Sequence, residues 1–358
     1  MTQLVRAVID TRALRKNLET VRRFAPRSRV MAVVKANAYG HGLVPTALAL
    51  ADADGFAVAR LEEGIALRRA SLRHPILLLE GVLDAVQLTE AAHQDFDLVV
   101  HSRDQIEMLA AYTGLYRFRI WVKVDTGMNR LGFRLEEFPD AWRRVTALPS
   151  VAPGARIMTH LANADMRSDA KTQAQLAAFR SVVANLGAEA SIANSAGVLG
   201  WPASHADWIR PGLLLYGVSP FADTRAEDLG LVPAMTLVTR LIAIRDVKVG
   251  ETVGYASAWT AARPTRVAIA AVGYGDGYPR NISSGTTVLI NGARRPIVGR
   301  VSMDMIAVDA TEGVPPKIGD EVVLWGRGLP IEEVAAQAGT IAYELLCGVS
   351  QRVLHEIV

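Results

Sequence analysis

Lys35 closes an otherwise apolar run, Val30 to Val34, and is followed at once by Ala-Asn-Ala-Tyr39-Gly40-His41-Gly42. An amine at the rim of an apolar core has its charged form disfavoured, and a partly neutral amine is what Schiff-base chemistry requires. A lone lysine at a strand end also reads as a side chain snorkelling to solvent. The glycines beside this one shift the balance, because they supply a backbone that can approach an anion. Two later segments carry complementary chemistry: Asn194-Ser195-Ala196-Gly197 and Arg210-Pro211-Gly212-Leu213. Ser195 offers a hydroxyl donor, Gly212 lets a backbone N–H come close, and Pro211 can open a helical turn. Each segment alone is an ordinary turn. Together with the lysine they point to a phosphorylated aldehyde as cofactor.

These residues need a scaffold that brings them to one place. From residue 29 to about 216 the chain repeats one grammar: a short β-rich apolar run, a polar or glycine-bearing turn, then a longer amphipathic stretch. The runs are Arg29 to Lys35, Gly55 to Ala59, Pro75 to Glu80, Phe96 to His101, Arg119 to Asp125, Arg156 to His160, Ala190 to Ser195 and a last one ending near Arg210. Helix-like segments lie between them, such as Leu61 to Ala70 and Asp169 to Asn185. Such alternation predicts an α/β fold, a TIM-type (β/α)8 barrel, rather than an open doubly wound sheet. Barrel chemistry sits where the strands end. Those positions hold Lys35, Arg60, Glu80, His101, Lys123 with Asp125, His160, Asn194 with Ser195, and Arg210.

From about residue 231 the texture changes to long alternating runs broken by turns, with only Ile331 to Ala338 and the Tyr-Glu-Leu-Leu-Cys stretch reading as helix. The expectation is a barrel over 1–230 and a mainly β C-terminal domain over 231–358, joined by the polar Asp223 to Gly230 linker.

Composition excludes several functions. With 39 Lys+Arg against 36 Asp+Glu, scattered without blocks, the net charge of +3 gives little reason to expect nucleic acid as a partner. The single cysteine, Cys347, rules out an intrachain disulfide and any cysteine-based metal cluster, so no metal is expected and a reducing, cytoplasmic setting is. Arg6 and Asp10 interrupt the N-terminus before a signal-peptide core can form, and no uncharged apolar stretch reaches the roughly 18 residues of a membrane span. His41, His74 and His93 are given no role.

The chain resembles the pyridoxal-phosphate-dependent alanine racemases, near their catabolic bacterial branch, over essentially its whole length. The motifs are VVKANAYGHG, KVDTGMNRLG, THLANAD, NSAG, WIRPGLLLYG, VGYASAWT, GYGDGYPR, GRVSMDM and AYELLC. The resemblance implies interconversion of L- and D-alanine by two bases, Lys35 and Tyr255, with pyridoxal 5'-phosphate held covalently by Lys35. It implies that Tyr39, Ser195, Gly212, Leu213 and Tyr343 surround the phosphate, that Asn194 belongs to the cofactor site, that Arg210 faces the pyridine nitrogen, and that His160 supports Arg210 and the tyrosine. Arg130 would contact the cofactor phenolate and, with the backbone of Met303, hold the substrate carboxylate. Lys123 matches a lysine often carbamylated in that family, and Asp165, Tyr274, Arg280, Arg300 and Asp304 match its entrance. A homodimer with sites shared between subunits is implied as well.

Two rivals share parts of this layout. Decarboxylases of basic amino acids use an acid at the pyridine nitrogen and a cysteine from the second domain, where this chain has Arg210 and no matching cysteine. A non-catalytic pyridoxal-phosphate carrier is a lone barrel, without the further 128 residues and Tyr255. Serine competes with alanine as substrate, since one hydroxyl is discriminated by about 10² or less in an apolar pocket.

Overall fold

A computed structural model describes residues 4–358. The chain forms two compact units. One is the barrel, Arg15–Ala38 and Leu43–Leu215; the other takes the chain up to Leu14, Tyr39–Gly42 and Tyr216–Val358.

The first strand, β1 (Arg6–Ile9), belongs to the second unit. The barrel follows with β2 (Arg29–Val33), β3 (Gly55–Val58), β4 (Ile76–Leu78), β5 (Asp97–Val100), β6 (Ile120–Lys123), β7 (Arg156–Met158), β8 (Ala190–Ser191) and β9 (Trp208–Ile209). All eight expected runs are strands. They pair in parallel in sequence order, and β9 returns to β2 through Arg29 opposite Trp208, closing the ring. Every residue of β3, β5 and β6 is buried, which is why these strands read as unbroken apolar runs instead of alternating ones. Helices Leu61–Arg69 and Ala170–Val183 lie where the 3.6 period put them.

The N-terminal rim of the barrel is closed by paired charges. Asp97, only 1% exposed, accepts from Arg119 at 2.6 Å, from Arg156 at 3.2 Å and from the Trp121 indole at 3.2 Å. Burial works against the neighbouring Glu189, but hydrogen bonds from Arg29, Arg156 and Trp208 hold its carboxyl down to about 2. A buried carboxylate satisfied from several sides is the form in which charge is tolerated inside a fold.

The second unit contains β10 (Met235–Val247), β11 (Thr252–Val253), β12 (Trp259–Thr260), β13 (Thr265–Ala270), β14 (Thr287–Ile290), β15 (Ala293–Val298), β16 (Ile306–Asp309), β17 (Glu321–Trp325) and β18 (Leu354–Ile357). Its main sheet runs β13-β16-β15-β14-β17-β10-β1-β18. The thirteen-residue β10 pairs with β17 in its first half and with β13 in its second, shifting register between Leu241 and Ala243, so the sheet also closes on itself. Helices Ile331–Gln337 and Ala342–Cys347 complete it.

The sequence puts the change of architecture at residue 231, whereas contacts put it at Tyr216 and give the described residues up to Leu14 to the β unit. The reason is pairing across the length of the chain. β1 lies antiparallel to β10 and parallel to β18, and Arg6 reaches Glu356 at 2.5 Å.

Candidate active site

Lys35 follows directly on β2, and the backbone then does something the sequence did not announce. Ala36, Asn37, Ala38 and Tyr39 have φ of 54°, 53°, 54° and 50°, four consecutive non-glycine residues in the left-handed region. For L-residues this costs about 1–2 kcal/mol each, so surrounding contacts must hold it. In the barrel unit, Glu63 accepts from the Ala36 N–H at 2.6 Å, and the Asn37 side-chain Oδ1 accepts from the Leu43 N–H at 2.8 Å.

At the same end of the barrel stand five nitrogenous groups. Lys35, Lys123, Arg130, His160 and Arg210 repel one another's charged forms. Arg210, 4% exposed, donates to the Ser191 hydroxyl, to the Thr159 carbonyl at 2.6 Å and to the Ile192 carbonyl at 3.4 Å, and lies 3.4 Å from His160 Nδ1. Among the described residues no carboxylate pairs with it. Burial lowers its pKa to about 10, leaving the guanidinium protonated at neutral pH. Burial, then Arg210, Lys123, Arg130 and Lys35, push His160 well below its ordinary value, so it is a neutral imidazole. Burial, then Arg210 and Arg130, lower Lys123 to about 8 against the opposing pull of Asp125.

Asp125 does not neutralise this cluster. Its Oδ1 accepts three backbone N–H groups, from Gly127 at 2.9 Å, Met128 at 3.0 Å and Asn129 at 3.1 Å, folding the loop that carries the exposed Arg130. Gly132 ends that loop at φ 120°, where a Cβ would sit 2.8 Å from the Asp125 nitrogen. A mouth with surplus positive charge and a buried unmatched guanidinium is built for an anionic group.

The segments after β8 and β9 meet at Ser195. Its hydroxyl oxygen accepts from the Gly212 N–H at 3.0 Å and the Leu214 N–H at 3.4 Å, leaving the hydroxyl proton for another acceptor. Asn194 caps the helical turn Ser195–Gly200 by accepting from Gly197 at 2.9 Å. Arg60 and Glu80 are exposed, and His101 lies 3.1 Å from the Glu80 carbonyl. The barrel thus gathers Lys35, Lys123, Arg130, His160, Asn194, Ser195, Arg210, Gly212 and Leu213, while Asp165 lies exposed on a loop.

In the second unit Tyr39 packs on Tyr216 and Tyr343, with ring centroids 4.8 and 5.7 Å apart. Burial above all, then Tyr343 and Cys347, drive the Tyr39 phenol far up, so it stays a hydrogen-bond donor. His41, given no role from sequence, is buried against Tyr216, its Nδ1 2.9 Å from the Tyr39 carbonyl.

Tyr255 and Met303 are 65% and 53% exposed on loops of this unit. The Met303 loop is zipped to the Tyr274 loop by Tyr274 N–H to Ser302 at 3.1 Å and Gly275 N–H to Met303 at 2.9 Å. Gly254, next to Tyr255, leaves its absent Cβ 3.5 Å from the Arg300 nitrogen. Arg280 lies over the Tyr274 ring at 5.9 Å. Two residues that sequence reasoning missed fix the arrangement. Arg352 donates to Asp276 at 2.7 Å and bridges to Asp304 at 2.8 Å, and Asp276 also accepts from the Gly273 N–H at 2.9 Å. Arg352 lies 76 residues from Asp276, so no local pattern signals the pair.

Fold and site define a barrel enzyme with a strand-end lysine in a cationic mouth, followed by a β unit. The alanine racemase N-terminal domain family matches residues 9–220, and the alanine racemase C-terminal domain family matches 234–357. An alanine racemase of Shewanella baltica is 50% identical over 353 residues, 99% of each chain, and one of Aeromonas hydrophila is 50% identical over 352 residues, 98% of this chain and 99% of that one. Among solved structures, the biosynthetic alanine racemase from Pseudomonas aeruginosa superposes with a TM-score of 0.97 at 43% identity, covering all of both chains. Alanine racemase from Bartonella henselae with covalently bound pyridoxal phosphate gives 0.89 at 32%, again over all of both. The chain belongs to the alanine racemase family.

Proposed function

We propose that the chain is an isomerase that interconverts L- and D-alanine using pyridoxal 5'-phosphate. The full-length match to alanine racemases carries the reaction. The single structural observation that carries the site is the cluster of Lys35, Lys123, Arg130 and Arg210 around a neutral His160: its surplus positive charge fits a cofactor bearing a phosphate and a substrate bearing a carboxylate, and the buried Arg210, with no carboxylate partner among the described residues, fits an unprotonated ring nitrogen.

When bound, pyridoxal phosphate supplies an imine to the substrate amine and so acidifies the α-hydrogen. Lys35 would hold it and, once released, carry the proton on one face, while the Tyr255 phenol carries it on the other. Tyr39, Ser195, Gly212, Leu213 and Tyr343 would receive the phosphate, with Asn194 beside them in the cofactor site; the protonated Tyr39 and the unspent Ser195 proton support that role. Arg210, cationic at neutral pH, would face the ring nitrogen and disfavour a second positive charge there, where a decarboxylase would place an acid. Neutral His160 would support Arg210 and Tyr255. Arg130 and the Met303 N–H would hold the carboxylate, with Asp165, Tyr274, Arg280, Arg300 and Asp304 at the entrance.

Lys123 would act as a carbamate. An amine lowered to about 8 is partly neutral near pH 7, and that form adds to CO₂ with loss of a proton, turning a cation that repels Arg130 into an anion that orients it. We further infer a cytoplasmic homodimer with sites shared between subunits; no helix among the described residues is long and apolar enough to cross a membrane. The sequence resemblance to the catabolic branch stands beside a solved relative from Pseudomonas aeruginosa that is named biosynthetic and is 43% identical, so the physiological role is open to test. A strain lacking the gene that then requires D-alanine would argue for biosynthesis.

The activity is tested by adding pyridoxal phosphate to purified protein and following optical rotation of L-alanine beside L-serine. Loss of rotation with alanine, abolished in Lys35→Ala, is expected. A yellow protein without racemisation would indicate a carrier, and release of CO₂ a decarboxylase.

A further inference from the structure

Glu63 stands at the third position of the helix Leu61–Arg69, where a glutamate ordinarily reaches back to one N–H at the helix start. Here it does more. Its Oε2 accepts from the Ala59 N–H at 2.9 Å and the Arg60 N–H at 3.2 Å, both just past the end of β3. Its Oε1 crosses to the neighbouring strand and accepts from the Ala36 N–H at 2.6 Å, the first amide after Lys35. Neither oxygen pairs with a cation among the described residues, although the mouth is rich in them, so the carboxylate is committed entirely to backbone.

The amide it holds opens the left-handed run Ala36 to Tyr39. That run has no glycine to relieve it, and Ala36 and Asn37 are exposed, so core packing does not fix its start. If Ala36 relaxed to an ordinary φ, the plane of the Lys35–Ala36 peptide would turn and the lysine's Cα–Cβ vector would swing with it. We propose that Glu63 is a positioning residue for Lys35: it pins the first left-handed amide and thereby aims the lysine amine. The inference rests on Lys35 being the lysine that carries the cofactor.

Four proteins test it: wild type, Glu63→Gln, Glu63→Ala, and Glu63→Ala combined with Ala36→Gly. Borohydride reduction of the pyridoxal-phosphate-loaded wild type followed by peptide mapping first locates the attachment. Attachment at another lysine would show that the functional premise had failed, and the inference with it. With attachment at Lys35, Glu63→Ala should lower kcat by on the order of 10²-fold, the effect of misplacing a reacting group by about 1 Å. KM should move by less than about threefold, since substrate contacts persist. Amide exchange across residues 36–39 should accelerate while that of β5 and β6 is unchanged. Glycine adopts positive φ without steric cost, so adding Ala36→Gly should recover about tenfold or more of the lost kcat. A mere helix cap predicts a lower melting temperature with kcat retained and no recovery from the glycine; either result overturns the assignment. Should Glu63→Ala fail to fold, Glu63→Gln, which keeps one acceptor oxygen, is read alone and in a fifth protein combined with Ala36→Gly, by the same kcat, exchange and glycine-recovery measurements.

Discussion

At the scale of single residues, the barrel treats its two ends oppositely. Asp97 at the N-terminal rim is paired with Arg119 and Arg156, whereas at the mouth Arg210 has no carboxylate partner among the described residues and the pull of Asp125 on Lys123 is outweighed by burial and by Arg210 and Arg130, which is a stability cost retained for binding. Lys123 makes that cost measurable. Its ammonium is depressed to about 8 from an ordinary 10.5, so between those values the unfolded chain binds more protons than the folded one. Stability therefore rises as pH climbs through that window, by up to about 3 kcal/mol, and below it the full penalty applies. In CO₂-free buffer Lys123→Met should be more stable than wild type near pH 7.5 by denaturant titration, with the advantage shrinking toward pH 10. A constant difference across the range would contradict the burial of a charged amine. Residue types were legible here because lysine, arginine and histidine at strand ends stand out against apolar runs. Glu63 was not, because Arg60 precedes its helix in place of a serine, threonine or aspartate that would have announced a capping arrangement.

At the scale of elements, the eight barrel strands were readable because burial on both faces writes itself as continuous apolar sequence. The left-handed turn after Lys35 was not, since alanine and tyrosine carry no preference for positive φ and an asparagine visits it as a single residue rather than in a run; Gly40 and Gly42 hinted at unusual backbone without locating it. The paired loops of the β unit were half legible. Their glycines were visible, their mutual contact was not. Gly273 shows what that contact demands: a Cβ there would lie 2.2 Å from the Ser302 oxygen and 2.3 Å from the Met303 oxygen, both backbone atoms unable to step aside cheaply. Gly273→Ala should thus displace the loop that presents the Met303 N–H. We expect a loss of about 1–3 kcal/mol of stability, the usual cost of overpacking, and a rise in KM for alanine larger than the fall in kcat. An unchanged KM in a correctly folded variant would remove Met303 from the carboxylate site.

At the scale of the whole molecule, a change of texture near residue 231 was enough to divide barrel from β domain, but β1 could be placed only by its partners β10 and β18, at the far end of the chain. The same division bears on assembly. Lys35 belongs to the barrel unit, while Tyr255, Met303 and Tyr274 lie exposed on the other, an apolar and phenolic surface of the kind that subunits bury. If each site takes its lysine from one subunit and its tyrosine from the partner, a symmetric dimer carries two such mixed sites. Lys35→Ala and Tyr255→Ala chains, each inactive alone, then complement on mixing. Random exchange makes half the dimers hybrid, and each hybrid holds one site with both native residues and one with neither, so recovery should approach about a quarter of wild-type activity. Differently tagged chains report the exchange by co-purification. Confirmed hybrids with no activity would place Lys35 and Tyr255 of each site on the same chain and refute the shared arrangement.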